Sequence, residues 1–133
     1  MSDSTNQFTL LQDMLKKSRL PSAVKRTVLS MLDKKGDRIT VIKLIGLSDI
    51  CDYMILCSGQ SVRQNQAIAD EIIARLSKEL KTKPFNSEGK QTGEWILIDY
   101  IDFIVHIFNP EIRDRYSLEK MWMDAKRYDF YIN

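Results

Sequence analysis

The run from Tyr53 to Ser58 is almost continuously apolar and is bounded by polar punctuation, Asp52 before it and Gly59-Gln60 after it. A segment this short and this apolar predicts a strand covered on both faces, because a strand with one wet face alternates instead. Directly behind it, Ser61-Val62-Arg63-Gln64 has the spacing of a capping box, in which the hydroxyl and amide side chains satisfy free N–H groups at a helix start. Ile68, Ile72, Leu76 and Leu80 then recur every four residues, so one stripe of the helix is apolar. Lys78 and Lys81 complement the dipole near its carboxyl end, and Pro84 closes it. A doubly covered strand passing straight into an amphipathic helix calls for layered helix and sheet.

The surrounding chain supplies the other elements. Residues 1–7 are polar and predicted to fray. Phe8, Leu11, Met14 and Leu15 predict a short amphipathic helix reaching Leu20, with Thr9 and Gln12 at capping-box spacing. Pro21 divides the chain, making residues 1–20 an N-terminal extension and 21–133 the domain. Ser22 is placed as the cap of a second helix that carries Val24, Val28, Met31 and Leu32 and ends near Gly36. Arg38–Ile45 is rich in β-branched residues and predicts a strand stopped by Gly46, and Phe85 begins a short edge strand. Trp95–Asp99 and Asp102–Phe108 predict a tight antiparallel hairpin joined by Tyr100-Ile101. On its second strand Phe103, Val105 and Ile107 share one face, and Ile104, His106 and Phe108 the other. Asn109 and Pro110 open a helical turn, and a last helix is predicted from Ser117 with Leu118, Met121, Trp122 and Ala125 on one stripe. This order predicts a single mixed α/β domain whose sheet has about five strands flanked by helices.

Composition then removes whole classes of function. With 133 residues, 44% hydrophobic and 29% charged, the chain has the makeup of one globular domain rather than of a disordered or fibrous protein. Twenty Lys and Arg against 18 Asp and Glu leave a net charge of +2, too little for a global field that coats nucleic acid or an anionic membrane. Only Cys51, Cys57 and His106 are available as soft metal ligands, short of the usual zinc set, and the cysteines lack Cys-x-x-Cys spacing. The longest apolar runs, such as Trp95–Ile98, are far too short to cross a bilayer, and the opening Met1-Ser2-Asp3 is unlike a signal peptide. The expectation is a soluble, cytoplasmic protein without membrane attachment.

Two blocks carry a more specific signal. The first is Asp52-Tyr53-Met54-Ile55-Leu56-Cys57-Ser58-Gly59-Gln60-Ser61, followed by Arg63-Gln64 and Ala67–Asp70. The second is Glu88-Gly89, Trp95, Asp99, Asp102, Val105–Phe108, Arg113, Tyr116, Leu118-Glu119 and Trp122. In this order and spacing, over roughly residues 22–127, they resemble the Iojap-like ribosomal silencing factors. The resemblance implies a nucleotidyltransferase-like topology without that activity, and no enzyme. It implies docking on the large ribosomal subunit through ribosomal protein L-fourteen, which blocks joining of the small subunit and represses translation when nutrients are scarce. Organellar relatives act in large-subunit assembly. A minor contact with ribosomal RNA and weak homodimer formation are compatible with it. Ile101 departs from the pattern, because relatives commonly place glycine there and a β-branched residue tolerates positive φ poorly.

The resemblance and the residue types together select candidate contacts. Trp95 is assigned to the partner surface as an anchor, the alternative being a sheet residue packed under the last helix. Trp122 reads as core. His106 titrates nearest neutrality and is assigned to a polar contact at the same surface. A catalytic arrangement of His106 with Ser58 and Asp52 or Asp99 lacks the nucleophile-elbow pattern. Asp99 and Asp102, with Ser58-Gly59, are what a nucleotidyltransferase reading would use for Mg²⁺ and phosphate, yet no Walker lysine accompanies them and aspartate suits a hairpin turn anyway. Arg113, Tyr116 and Glu119 are expected on the last helical segments with polar atoms facing outward. The Lys78–Lys83 cluster suits ribosomal RNA or plain solvent. The partner-binding set is therefore Trp95, His106, Asp99, Arg113, Tyr116 and Glu119, with no cofactor or metal implied.

Overall fold

A computed structural model describes residues 3–131. The elements are α1 (Asp3–Lys17), α2 (Ser22–Asp33), β1 (Asp37–Lys43), β2 (Tyr53–Ser58), α3 (Val62–Leu80), β3 (Asn86–Glu88), β4 (Trp95–Asp99), β5 (Phe103–Phe108), α4 (Pro110–Tyr116), a 3₁₀ turn (Leu118–Trp122) and β6 (Lys126–Phe130). The strands form one mixed sheet in the order β3-β4-β5-β2-β1-β6. Only β2 and β5 run parallel, with Ile55 opposite Val105 and Ser58 opposite Phe108. No helix among the described residues is long and apolar enough to cross a membrane.

The sheet has two unequal faces. On one, α1, α2 and α3 close a core of Val24, Val28, Met31, Ile39, Val41, Ile55, Cys57, Ile68, Ile72, Leu76, Ile96, Ile98, Val105 and Ile107. Each such side chain, moved from water into this layer, contributes about 1.5–3 kcal/mol. The other face carries a smaller cluster of Ile42, Leu44, Cys51, Leu56 and Phe108, roofed by Ile112, Leu118, Trp122 and Ala125. The apolar run of β2 is thereby explained: Ile55 and Cys57 point to the first core and Leu56 to the second.

At the start of α3, Ser61 Oγ accepts from Gln64 N at 3.0 Å. The return bond comes one residue earlier than a capping box requires, from Gln60 N to Gln64 Oε1 at 2.7 Å. Gly59 makes the turn from strand to helix, because a Cβ there would lie 2.1 Å from Asn65 Oδ1. Asn65 in turn donates from Nδ2 to Gly93 O at 2.8 Å, tying this turn to the loop before β4.

Several expectations are corrected. The mixed sheet is as expected and has six strands, but the helix expected from Ser117 is one 3₁₀ turn followed by β6. Lys126–Phe130 escaped notice because it is an edge strand, mostly exposed, with only Tyr128 and Phe130 apolar. Helix α1 already runs from Asp3, so the polar opening is helical there and Thr9 and Gln12 lie inside the helix rather than at its cap; Met1 and Ser2 lie outside the described residues. Pro21, not Ser22, precedes α2, without a side-chain cap. Lys35 rather than Gly36 takes the left-handed conformation after α2, at φ 60°, while Gly36 N donates to Met31 O at 2.8 Å. The hairpin and the facing of β5 are as expected, and Asn109 caps α4 through Ile112 N at 2.8 Å.

Candidate functional site

Over β4 and β5 the second face is only partly roofed and leaves Trp95, Leu97 and Ile104 half-buried. Cross-strand register sets Trp95 opposite Phe108, Leu97 opposite His106 and Asp99 opposite Ile104. Trp95 is half-buried. Its ring lies 5.4 Å from that of Phe108 and 5.0 Å from that of Tyr116, within the usual range of aromatic packing. Tyr116, at the end of α4, is 56% exposed. The indole Nε1 donates to His106 Nδ1 at 3.0 Å. His106 is itself only 7% exposed, and burial lowers its pKa to about 4, so the imidazole is neutral at physiological pH.

Asp99 borders this surface, but its carboxylate serves the turn. Its Oδ1 accepts from Ile101 N at 2.7 Å, and Ile101 sits at φ 73°. The hairpin thus places a β-branched residue in the left-handed region where its relatives were expected to carry glycine.

Arg113 and Glu119, expected to face outward, lie inward. Arg113 is 1% exposed. Its Nη1 donates to Arg38 O at 2.6 Å and Ser58 Oγ at 3.4 Å, and its Nη2 to Thr40 Oγ1 at 3.3 Å and Glu119 Oε2 at 3.4 Å. Burial pushes this guanidinium below its ordinary range, while Glu119 opposes the shift. Arg38 and Arg127 also reach Glu119, each at 3.9 Å, so one carboxylate with 13% exposure gathers three cations. The cluster clamps α4 and the 3₁₀ turn onto β1 at a bulge where Arg38 takes φ 51°. No sequence signal distinguished this arginine from a surface one.

The residues of the alternative readings are not assembled. Ser58 is fully buried beneath Arg113, and His106 Nδ1 is taken by Trp95. Among the described residues no three His, Cys, Asp or Glu side chains group as a metal would need. Lys78, Lys81 and Lys83 are exposed at and beyond the end of α3. Trp122 packs against the second core as expected, whereas Met121 is 69% exposed. Met121 borders a shallow cavity of about 310 Å³ lined by Leu47 and residues 120–125. The floor residues Leu97 and Ile104 were not singled out as contacts, although the alternation of β5 had set Ile104 beside His106.

A family model described as "Ribosomal silencing factor during starvation" matches residues 17–132. The ribosomal silencing factor RsfS of Haemophilus influenzae is 42% identical over 88 residues, covering 66% of this chain and 85% of that protein. Mouse "Mitochondrial assembly of ribosomal large subunit protein 1" is 31% identical over 99 residues, which span 71% of this chain and 43% of the mouse protein. A crystal structure of a Chromobacterium violaceum protein has the same fold, with a TM-score of 0.73 at 32% identity over 84% of this chain and 91% of that one.

Proposed function

The chain belongs to the ribosomal silencing factor family, and on that premise we propose that it docks on the large ribosomal subunit through ribosomal protein L-fourteen and keeps the small subunit from joining. Repression of translation under nutrient limitation follows from that block. The observation that carries this reading is the Trp95–Tyr116 contact, in which a half-buried sheet tryptophan packs against an exposed tyrosine at the end of α4. Such anchors surrounded by polar groups concentrate the energy of protein interfaces, each often contributing 2 kcal/mol or more on truncation, by the order of magnitude seen in alanine scans. Leu97 and Ile104 supply an apolar floor, and Asp99 and the exposed Glu88 a polar rim. In this reading Trp95, Tyr116 and His106 meet the partner. Arg113 and Glu119 act from beneath, holding the segment that presents Tyr116.

No chemistry is required. A domain of this length has a radius of gyration of about 14 Å and a body roughly 30 Å across, enough to hold two closely apposed surfaces apart. The test is co-sedimentation of the purified protein with isolated large and small subunits. Pelleting with the large subunit alone, followed by inhibition of subunit joining, supports the proposal; pelleting with neither removes it.

A second reading, a factor in large-subunit assembly, draws on the similarity to the mouse protein. It uses the same surface and differs in timing. Preferential pelleting with immature large-subunit particles would favour it.

A further inference from the structure

Building on the docking surface proposed above, we infer that Trp95 and His106 work as one hydrogen-bonded unit, in which the imidazole orients the indole and turns its own remaining N–H outward, so that the partner must present an oxygen acceptor beside the tryptophan.

An indole nitrogen has only a hydrogen to give, so the 3.0 Å contact from Trp95 Nε1 requires an unprotonated Nδ1 on His106. In a neutral imidazole the hydrogen then resides on Nε2. One bond therefore fixes both the tautomer of His106 and the polar end of Trp95. Without it the indole keeps its packing on Phe108 and Tyr116 but loses the only polar bond that selects its orientation.

The surroundings of this arrangement are apolar and uncharged. Leu97 on β4 and Leu56 on β2 lie directly opposite His106, and Ile104 and Phe108 flank it on its own strand. No charged side chain holds any of these four positions. Among the described residues nothing bonds the Nε2 hydrogen, and Nε2 is not one of the buried polar atoms left without a partner. It is thus a solvent-touching donor within an apolar, aromatic patch. A protein covering that patch strands this N–H unless it offers an oxygen, and an unpaired donor buried on binding weakens the complex. His106 is by this account a positioning residue for Trp95 and a specificity determinant for whatever covers it.

The experiment pairs NMR on the free full-length protein with titration against purified large subunits. His106→Phe keeps an aromatic ring, though a larger one, and removes both roles; His106→Gln restores an acceptor for the indole and an outward N–H. In His106→Phe the Trp95 indole N–H resonance is expected to move upfield and exchange faster with solvent. Large-subunit binding should weaken about tenfold, the order expected for two lost hydrogen bonds. His106→Gln should recover most of both. An unmoved indole resonance in His106→Phe overturns the inference, as does binding by His106→Phe equal to wild type while Trp95→Ala loses it. Wild-type protein that does not bind large subunits overturns the docking proposal and this inference together, so the two failures are told apart. A variant whose methyl resonances show lost folding is replaced by His106→Leu, judged on the same two readouts.

Discussion

Trp95 and His106 are diagonal neighbours on adjacent antiparallel strands, joined by a 3.0 Å bond from indole to imidazole. Their pairing places a half-buried tryptophan and the only histidine in one unit, on the face that α1–α3 do not cover. Affinity, pH response and fold are all expected to register changes to this pair.

Trp95→Ala is expected to weaken large-subunit binding by about thirtyfold or more, the order of a central aromatic anchor. Unfolding should shift less than for a fully sealed core aromatic, because Trp95 is half-buried. Binding of fluorescently labelled protein to purified subunits measures the first, and urea midpoints the second. Unchanged affinity would remove Trp95 from the interface.

His106 gives stability a defined pH dependence. Its pKa falls from 6.5 in the unfolded chain to about 4 in the fold, so between those values the unfolded state binds the extra proton. Stability from this group is complete above about pH 6.5 and declines as pH falls towards 4, by about 3 kcal/mol in all. Urea unfolding of wild type and His106→Gln at pH 7 and pH 4.5 isolates the effect, because the other titrating groups are common to both. A wild-type loss no greater than that of His106→Gln would contradict it.

Arg113→Met leaves Glu119 facing the interior with only the two longer contacts to Arg38 and Arg127. The expected destabilisation is about 3 kcal/mol, at the low end for breaking a buried pair. Arg113→Lys should recover little, because one ammonium cannot span Arg38 O, Thr40 Oγ1 and Glu119 together. Denaturant midpoints decide the matter, and a loss below 1 kcal/mol for Arg113→Met would mean the clamp is dispensable.

Ile101→Gly should stabilise the protein. The residue is 60% exposed, so little burial is lost, and its φ of 73° is strained for a β-branched side chain. Relief of about 1–2 kcal/mol exceeds the added chain entropy of glycine, about 0.5–1 kcal/mol, and a rise of a few degrees in Tm is expected. A fall in Tm would show that the isoleucine side chain contributes more than its backbone strain removes.

The sequence-readable parts of this molecule are those where local chemistry and tertiary burial agree. Tyr53–Ser58 and the stripe from Ile68 to Leu76 announce themselves because each lies wholly in a core, and Ser61 and Asn109 because capping is local. Lys126–Phe130 gave no such sign, since an edge strand draws its stability from a ladder to a distant partner and keeps polar side chains. The same limit hid the position of Arg113: a short helix with polar residues on all sides does not reveal which one turns inward until the bulge at Arg38 and the hydroxyls of Ser58 and Thr40 come from elsewhere to meet it. Tyr116 was legible as an outward aromatic, but its tilted packing against Trp95 was not, because that contact depends on how the clamp sets α4.

The place of β6 in the sheet also bears on how the molecule is made. Thr40 in β1 hydrogen-bonds Asp129 in β6 across 89 residues of chain, and the whole β1–β6 ladder spans a similar separation. Such a pairing raises contact order and must wait for nearly everything between. During synthesis β1 therefore emerges early and keeps one edge open until Lys126–Phe130 has also left the exit tunnel, so the nascent sheet presents an unpaired edge through the synthesis of every strand in between.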